Sequence, residues 1–241
     1  AKNTFLMVTK SLINQIQKLK LKKFRYKTGL FVAEGEKLVK ELLNSNLACN
    51  KLFTTDNYNL FSAVKINLNE MQKLTHFKNA SNFLGIFEIP KHSNKLDKLS
   101  KAIIILDGIS DPGNFGSIIR TCDWFGIHDI VCSENSVDCF NSKVVQSSMG
   151  SILKVRCHYT NLVSFIKKTK IELYGTALDG KSIYDLKLNQ NSIFLFGNES
   201  KGISLELQEH INSYITIPKN QSNASIDSLN LASSVAIILS E

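Results

Sequence analysis

The chain has 241 residues, with 29 Lys and Arg against 21 Asp and Glu, which gives a formal net charge of +8. Its length suits one large domain or two ordinary ones. No apolar run reaches the ~20 residues of a membrane-spanning helix, and the first residues lack the apolar region and cleavage pattern of a signal peptide. These features exclude a membrane protein and favour a cytoplasmic one.

The positive charge is confined to the first part of the chain. Residues 1–98 hold 17 basic and 7 acidic side chains (+10), whereas residues 99–241 hold 12 and 14 (−2). A Lys-rich and Asn-rich source genome would explain the total charge equally well, but it does not explain this asymmetry. A polyanionic partner for the first part is the natural inference. Together with a polar stretch over residues 90–100, the asymmetry predicts two domains, 1–98 and 99–241.

The first elements in chain order predict a small α/β domain with a basic surface. Apolar residues at helical spacing predict a helix over 9–21, followed by strands at 30–33, 51–54 and 83–89 and helices near 34–45 and 69–77. A basic cluster with interleaved aromatic rings follows the first helix. A solvated helix end explains any single member, but as a cluster it is a candidate for RNA binding because cations hold phosphates and rings stack on bases. The candidate contacts are Lys20, Lys22, Lys23 and Arg25.

From residue 102 the pattern alternates between strand and helix. Strands are predicted at 102–106, 128–132, 171–177, 192–196 and 214–217. Helices are predicted near 115–125, 141–149, 160–169, 203–211 and 228–240. This alternation predicts a mainly parallel sheet covered on both faces.

Cysteine and histidine spacing gives no sign of a metal site. The five cysteines are odd in number and include no C-x-x-C pair, and the five histidines are scattered. We therefore expect reduced cysteines that fill small apolar spaces in a reducing compartment, with no metal.

Three motifs lie where predicted strands end and helices begin, which is where an open α/β sheet places its ligands. The first covers residues 106–121, reading LDGISDPGNFG and ending in Arg120 and Thr121. The second is FGNESKG at 196–202, and the third joins Ile217 and Pro218 to SLN at 228–230. Their repeated position predicts one composite site.

In order and spacing, these motifs resemble those of the SpoU family of RNA ribose methyltransferases, within the SPOUT superfamily. The resemblance covers residues 101–241. A looser similarity at 31–43 resembles the substrate-binding domain that precedes the catalytic domain in many members. The chain departs from the family pattern in one place: the segment 219–227, between Pro218 and Ser228, is a few residues longer than the usual spacing.

The resemblance implies a small N-terminal α/β domain and a C-terminal α/β domain with a deep trefoil knot. It also implies an S-adenosylmethionine-dependent RNA 2′-O-methyltransferase that acts as a homodimer, with ribosomal RNA favoured over transfer RNA as the substrate. The implied catalytic residues are Asn114, Arg120, Glu199, Ser228 and Asn230. The implied cofactor contacts are Phe196, Gly197, Gly202, Ile217, Pro218 and Leu229.

The sequence leaves open several alternatives for the roles of single residues and for the class of protein. Asn114 could be only a helix N-cap and Arg120 only a surface charge. A dinucleotide-binding Rossmann protein is disfavoured because Gly113 to Gly116 lacks G-x-G-x-x-G spacing. A non-catalytic RNA-binding protein that keeps the fold is a further alternative. A free guanidinium stays protonated at neutral pH, which favours Arg120 as an orienting cation rather than a base.

Overall fold

The structure is a computed structural model that describes residues 8–56, 62–91, 103–169, 171–187, 192–219 and 227–241. Within these ranges, no helix has the length and apolar character needed to cross a membrane.

The chain divides into two compact units. The first contains the described residues up to Lys91 together with the segment 138–153, which follows much later in the sequence. The second contains the rest of the described chain. The helices and strands of the first unit are α1 Lys10–Lys18, α2 Lys22–Thr28, β1 Leu30–Glu34, α3 Glu36–Asn44, β2 Cys49–Thr54, β3 Val64–Lys65, α4 Leu68–Leu74 and β4 Phe83–Glu88.

The first unit is built on a four-stranded sheet in the order β1-β4-β2-β3. Strand β4 pairs antiparallel with β1 and β2, and β3 pairs parallel with β2. Helices α1 and α4 pack together over one core, which includes Ile16, Met71 and Leu84. The predicted small α/β unit is therefore present.

The segment 138–153 packs with this sheet although its neighbours in sequence belong to the second unit. It contains a helix, α6 Ser142–Ser148, and a 3₁₀ turn at Met149–Leu153. The centroid of the Phe140 ring lies 5.1 Å from the centroid of the Phe31 ring on β1. The predicted boundary at residue 98 falls outside the described residues and stays a prediction, but nothing in the sequence pattern indicated this second piece.

The second unit contains a six-stranded sheet in which every pair of neighbours is parallel, in the order β10-β8-β9-β5-β6-β7. This confirms the predicted class of fold. Its central strands are fully buried, as expected for a parallel sheet covered on both faces. The elements are β5 Ile103–Leu106, α5 Pro112–Trp124, β6 Asp129–Ser133, β7 Arg156–Thr160, α7 Leu162–Lys168, β8 Leu173–Ser182, β9 Ile193–Phe196, α8 Leu205–Gln208, β10 Ser213–Thr216 and α9 Leu231–Ser240.

Two differences from the predicted elements have simple causes. Strand β7 was not predicted, because this half-buried strand at the edge of the sheet carries mixed polar residues. Helix α9 begins at Leu231 rather than at residue 228, because Asn230 is its N-cap. The knot stays a prediction, since residues 220–226 lie outside the described ranges.

Helix α5 carries the first motif and packs against α9. Its buried face holds Phe115, Ile118, Ile119 and Cys122, as the apolar spacing predicts. Phe125 continues the same apolar spacing but is 40% exposed, because it lies just beyond the last residue of the helix. Gly126 follows with a φ of +71°, the left-handed conformation that commonly ends a helix.

Candidate active site

The three motifs lie at one edge of the parallel sheet. Strands β5, β9 and β10 run in the same direction and end at Leu106, Phe196 and Thr216. Because the carboxyl ends of parallel strands share an edge, the loops that follow them come together there. The predicted composite site is therefore possible in this fold.

Asn114 connects all three motifs through its side-chain amide. Its Nδ2 donates to Glu199 Oε1 at 3.2 Å, in the second motif. Its Oδ1 accepts a hydrogen bond from Asn230 Nδ2 at 2.8 Å, in the third motif. The N-cap of α5 is Asp111, whose Oδ1 accepts from the backbone N–H of Asn114 at 2.6 Å. The interpretation of Asn114 as only a helix cap is therefore wrong.

Glu199 holds the loop between β5 and α5 through several long hydrogen bonds. Its carboxylate accepts from Ser110 N at 3.5 Å, Ser110 Oγ at 3.3 Å and Asp111 N at 3.4 Å. Hydrogen bonds of this length are weak individually. Glu199 is exposed, so its carboxylate both organises this loop and faces solvent at the site.

The turn of the second motif is fixed by Asn198, which lies within the motif but is not among the catalytic residues or cofactor contacts that the resemblance implies. Its Nδ2 donates to the Gly108 carbonyl at 2.7 Å, and its Oδ1 accepts from Ser200 N and Lys201 N, each at 3.0 Å. Its backbone also bridges to Gly202, which has a φ of +69°. Asn198 thereby joins the turn to the loop after β5.

Asp107 connects the first motif to Ser204, which lies two residues after the second motif. This side chain is 8% exposed, and its Oδ2 accepts from Ser204 N at 2.8 Å. Burial of a carboxylate is costly unless hydrogen bonds compensate for it. An aspartate directly after a buried strand was the available signal for this role.

Two predicted cofactor contacts are restricted by packing. The Phe196 side chain is fully buried, so its backbone alone can reach a ligand, and its carbonyl already accepts from Asp107 N at 2.9 Å. A Cβ on Gly197 would collide with the backbone of Gly202 and Ile203. Glycine at 197 is therefore required by the turn itself, whether or not a ligand approaches.

The remaining predicted residues of the second unit are open to solvent. Arg120, Ser228, Asn230, Gly202 and Pro218 are exposed, and Ile217 is partly exposed. Leu229 exposes 52% of its surface despite its apolar side chain. No hydrogen bond or ion pair joins the Arg120 side chain to another described residue, so its guanidinium is available to a ligand.

The basic cluster of the first unit is exposed except for one member. Lys20, Lys22 and Lys23 are exposed. Arg25 is 1% exposed, and its guanidinium forms a buried ion pair with Asp138. The prediction that Arg25 contacts RNA is therefore wrong, because a guanidinium enclosed in this way cannot reach a phosphate.

No group of three His, Cys, Asp or Glu side chains within the described ranges is arranged to hold a metal ion. The predicted site consists instead of amides, hydroxyls, one carboxylate and one guanidinium.

Two family models match the chain, one for each half. The SpoU rRNA Methylase family matches residues 101–240, and an MRM3-like substrate binding domain matches residues 10–83. The chain belongs to the SpoU rRNA methylase family. This confirms the family and the class of enzyme predicted from the three motifs.

Relatives and solved structures match over nearly the whole chain. The 23S rRNA (guanosine(2553)-2′-O)-methyltransferase RlmP of Bacillus subtilis is 28% identical, covering 92% of each chain. A putative RNA methyltransferase of the TrmH family from Porphyromonas gingivalis is 32% identical, covering 97% of each chain with a TM-score of 0.82. An AdoMet-bound rRNA methyltransferase from Sinorhizobium meliloti is 27% identical, covering 96% of this chain and 94% of its own with a TM-score of 0.82.

Proposed function

We propose that this protein transfers the methyl group of S-adenosylmethionine to a ribose 2′-hydroxyl of ribosomal RNA. The observation that carries the proposal is the hydrogen-bonded series from Asn230 through Asn114 to Glu199, because it joins residues of all three motifs at one edge of the sheet. A protein that kept only the fold would not need this arrangement of exposed polar side chains.

The loops after β9 and β10 fit the cofactor. Leu229 and Ile217 expose apolar surface that can cover an adenine ring, while the nearby polar side chains suit the methionine end. S-adenosylmethionine supplies an electrophilic methyl group and requires no metal for its transfer. The solved relative from Sinorhizobium meliloti is described as AdoMet-bound, which supports this assignment.

We assign Arg120 the role of orienting the ribose hydroxyl and an adjacent phosphate. Its exposed guanidinium offers five donors in a fixed plane, which matches phosphate geometry. Correct orientation of the two reacting groups can lower a barrier by about 7–11 kcal/mol in favourable cases. In this proposal Asn114 and Asn230, which are hydrogen-bonded to each other, and the exposed hydroxyl of Ser228 supply further polar groups that hold the substrate and cofactor.

The proposed partner of the first unit is RNA, held by Lys20, Lys22 and Lys23. These exposed cations lie beside Tyr26, which exposes half of its ring surface and can stack on an unpaired base. Relatives that match most of the chain are named for 23S rRNA, including RlmB of Neisseria meningitidis at 27% identity over 77% of this chain. We therefore favour ribosomal over transfer RNA.

The proposal includes a homodimer acting in the cytoplasm, as the family resemblance implies. The five cysteines, all within the described ranges, form no disulfide, which agrees with a reducing compartment. Trp124 is 86% exposed at the end of α5 and is an apolar surface suited to a second copy of the chain. Sedimentation of the purified protein tests the dimer directly.

The experiment that tests the function maps 2′-O-methyl groups on 23S rRNA from cells with and without the gene. Complementation with the unaltered gene should restore one missing methyl group, and Asn114→Ala should fail to restore it. Identical maps in the two strains would exclude 23S rRNA as the substrate. If purified protein also fails to bind S-adenosylmethionine in calorimetry, the non-catalytic alternative holds.

A further inference from the structure

The ion pair between Arg25 and Asp138 lies within the first unit, and Asp138 is the residue at which the chain enters that unit from the second. Arg25 Nε donates to Asp138 Oδ2 at 2.8 Å, Arg25 Nη2 donates to the same oxygen, and Tyr26 OH donates to Oδ1 at 3.0 Å. Asp138 is 4% exposed, so both oxygens of a buried carboxylate are satisfied from helix α2. Arg25 Nη1 also donates to the carbonyls of Leu19 and Lys20, each at 2.8 Å, which fixes the guanidinium next to the exposed lysines.

The preceding residue, Val137, belongs to the second unit, and hydrogen bonds within that unit fix its backbone. Its N–H donates to the Ile109 carbonyl at 2.8 Å, and its carbonyl accepts from Tyr159 OH at 2.7 Å. Ile109 is fully buried and belongs to the loop between β5 and α5. This loop continues to Asp111, the N-cap that bonds Asn114.

A short covalent and hydrogen-bonded route therefore connects the basic helix to the catalytic loop. It runs from Arg25 to Asp138, across one peptide bond to Val137, and on to Ile109. Each non-covalent contact lies within one unit, and the peptide bond makes the step from one unit to the other.

We propose that Arg25 and Asp138 are positioning residues that steady the catalytic loop through the peptide bond between Asp138 and Val137. Neither residue touches substrate. Arg25 fixes the position of Asp138, which fixes Val137 and thereby the Ile109 carbonyl. The proposal rests on the proposed function for its consequence in catalysis, but its structural step can be measured on the protein alone.

The test is amide hydrogen exchange on the full chain without RNA or cofactor, followed over residues 107–114 and at Val137. Asp138→Asn removes the negative charge of the ion pair and keeps the shape of the side chain. Exchange of the amides at 107–114 and at Val137 should therefore become about tenfold faster. Tyr26→Phe removes only the hydroxyl donor to Asp138, changes a half-exposed residue, and should give a smaller increase at the same amides. Lys23→Gln, on the same helix, is the matched control and should leave them unchanged.

Binding to a 23S rRNA transcript separates positioning from direct phosphate contact. Lys23→Gln should flatten the dependence of log Kd on log salt by about 0.7 to 0.9. Arg25→Gln should leave this slope unchanged and lower kcat, and its effect on kcat should not add to that of Asp138→Asn. Additive effects would contradict the proposal.

Two further results would overturn it. Unchanged exchange over 107–114 in Asp138→Asn and Tyr26→Phe would show that the loop does not depend on this ion pair. A flattened salt slope in Arg25→Gln would show that Arg25 contacts RNA directly. Failure of the unaltered protein to bind S-adenosylmethionine would instead overturn the proposed function and leave the exchange result standing.

Discussion

Asn230 donates a hydrogen bond from Nδ2 to Asn114 Oδ1 at 2.8 Å, while its Oδ1 accepts from Ala232 N at 2.9 Å and caps helix α9. One side chain thus begins the last helix and contacts the catalytic loop with its other end. The two roles use different atoms. A substitution that preserves one and removes the other can therefore separate stability from catalysis.

Asn230→Asp should keep the protein folded and lower methyl transfer at least tenfold. Aspartate caps a helix about as well as asparagine, so the free energy of unfolding should change by less than about 0.5 kcal/mol. The donor to Asn114 is lost, however, and a negative charge faces its Oδ1. Urea unfolding and single-turnover methylation on one preparation provide the two measurements.

Asn230→Ala is the matched variant, because it removes both roles. It should cost about 1 kcal/mol of stability in addition to the loss of activity. If Asn230→Asp methylated RNA at the normal rate, the bond to Asn114 would have no part in the reaction.

Arg120→Ala should abolish methyl transfer and leave S-adenosylmethionine affinity within a few-fold. The side chain is exposed and has no partner within the described chain, so its removal leaves no buried group unsatisfied. Turnover and calorimetric binding should be compared on the same sample.

Arg120→Lys tests the role of the cation. A lysine keeps the charge but loses the planar fork of donors, so it should recover part of the activity if charge orients the substrate. Normal turnover in Arg120→Ala would remove this residue from the active site.

Most of the site could be predicted from the sequence because its polar residues lie within three short motifs that occur in a fixed order. Asn114, Glu199 and Asn230 could be selected from their motifs, and the structure brings them together. The sequence did not predict Asp138 as the partner of Arg25. An ion pair between residues 113 positions apart leaves no local pattern, since each side chain alone resembles an ordinary surface charge.

The same limit explains why the grouping of 138–153 with the first unit was missed. Its apolar residues Val144 and Val145 fit a helix on the second sheet equally well, and the alternation of strand and helix favours that placement. The contact between Phe31 and Phe140 is visible only in three dimensions. Deletion of residues 1–98 would consequently leave the segment 138–153 without its partners, so charge variants are better probes of RNA binding.

Leu229→Ala should weaken S-adenosylmethionine binding about tenfold without lowering stability. The side chain is 52% exposed, so the folded protein loses little packing. A bound adenine ring would lose roughly 1–2 kcal/mol of apolar contact, which corresponds to an increase of about 5-fold to 30-fold in Kd. Calorimetry of the purified protein measures this directly.

Leu205→Ala is a suitable control, because Leu205 is 80% exposed and lies in α8 outside the predicted cofactor loops. It should bind the cofactor normally. Equal affinities in Leu229→Ala and the unaltered protein would place the adenosine elsewhere. Gly197→Val is less informative, since its Cβ meets the backbone of Gly202 and would disrupt the turn even without ligand.

Replacement of Lys20, Lys22 and Lys23 by Gln should weaken RNA binding mainly at low salt. Each phosphate contact contributes about −0.7 to the slope of log K against log salt for single strands, so three contacts would flatten it by about 2. Cofactor affinity should be unchanged. Filter binding to a 23S rRNA transcript across a salt series measures the slope.

Lys167 and Lys168, at the end of α7, are a matched pair of cations in the second unit. Their replacement by Gln should leave the slope unchanged. An equal effect from both sets would mean that RNA binding follows total charge, as expected if the basic excess reflects only genome composition.

His76 should make the folded protein less stable as the pH falls from about 6.5 to about 4. Burial lowers the pKa of His76 from 6.5 to about 4, and its ring bonds Ser142 Oγ at 2.5 Å and the Ile16 carbonyl at 2.9 Å. Between these pH values the unfolded chain binds a proton that the folded chain does not. The free energy of unfolding therefore falls with pH, by up to about 3 kcal/mol.

Glu34 acts in the opposite direction and must be separated from His76. Burial raises the pKa of Glu34, so the folded chain binds the extra proton just above the ordinary carboxyl range and is stabilised as the pH falls. Urea unfolding of the unaltered protein and His76→Gln at pH 4, 5, 6 and 7 isolates the histidine, because glutamine does not titrate in this range. Relative to His76→Gln, the unaltered protein should have a free energy of unfolding that falls as the pH is lowered from 7 to 4. A difference between the two proteins that did not depend on pH would show that folding does not change the pKa of His76.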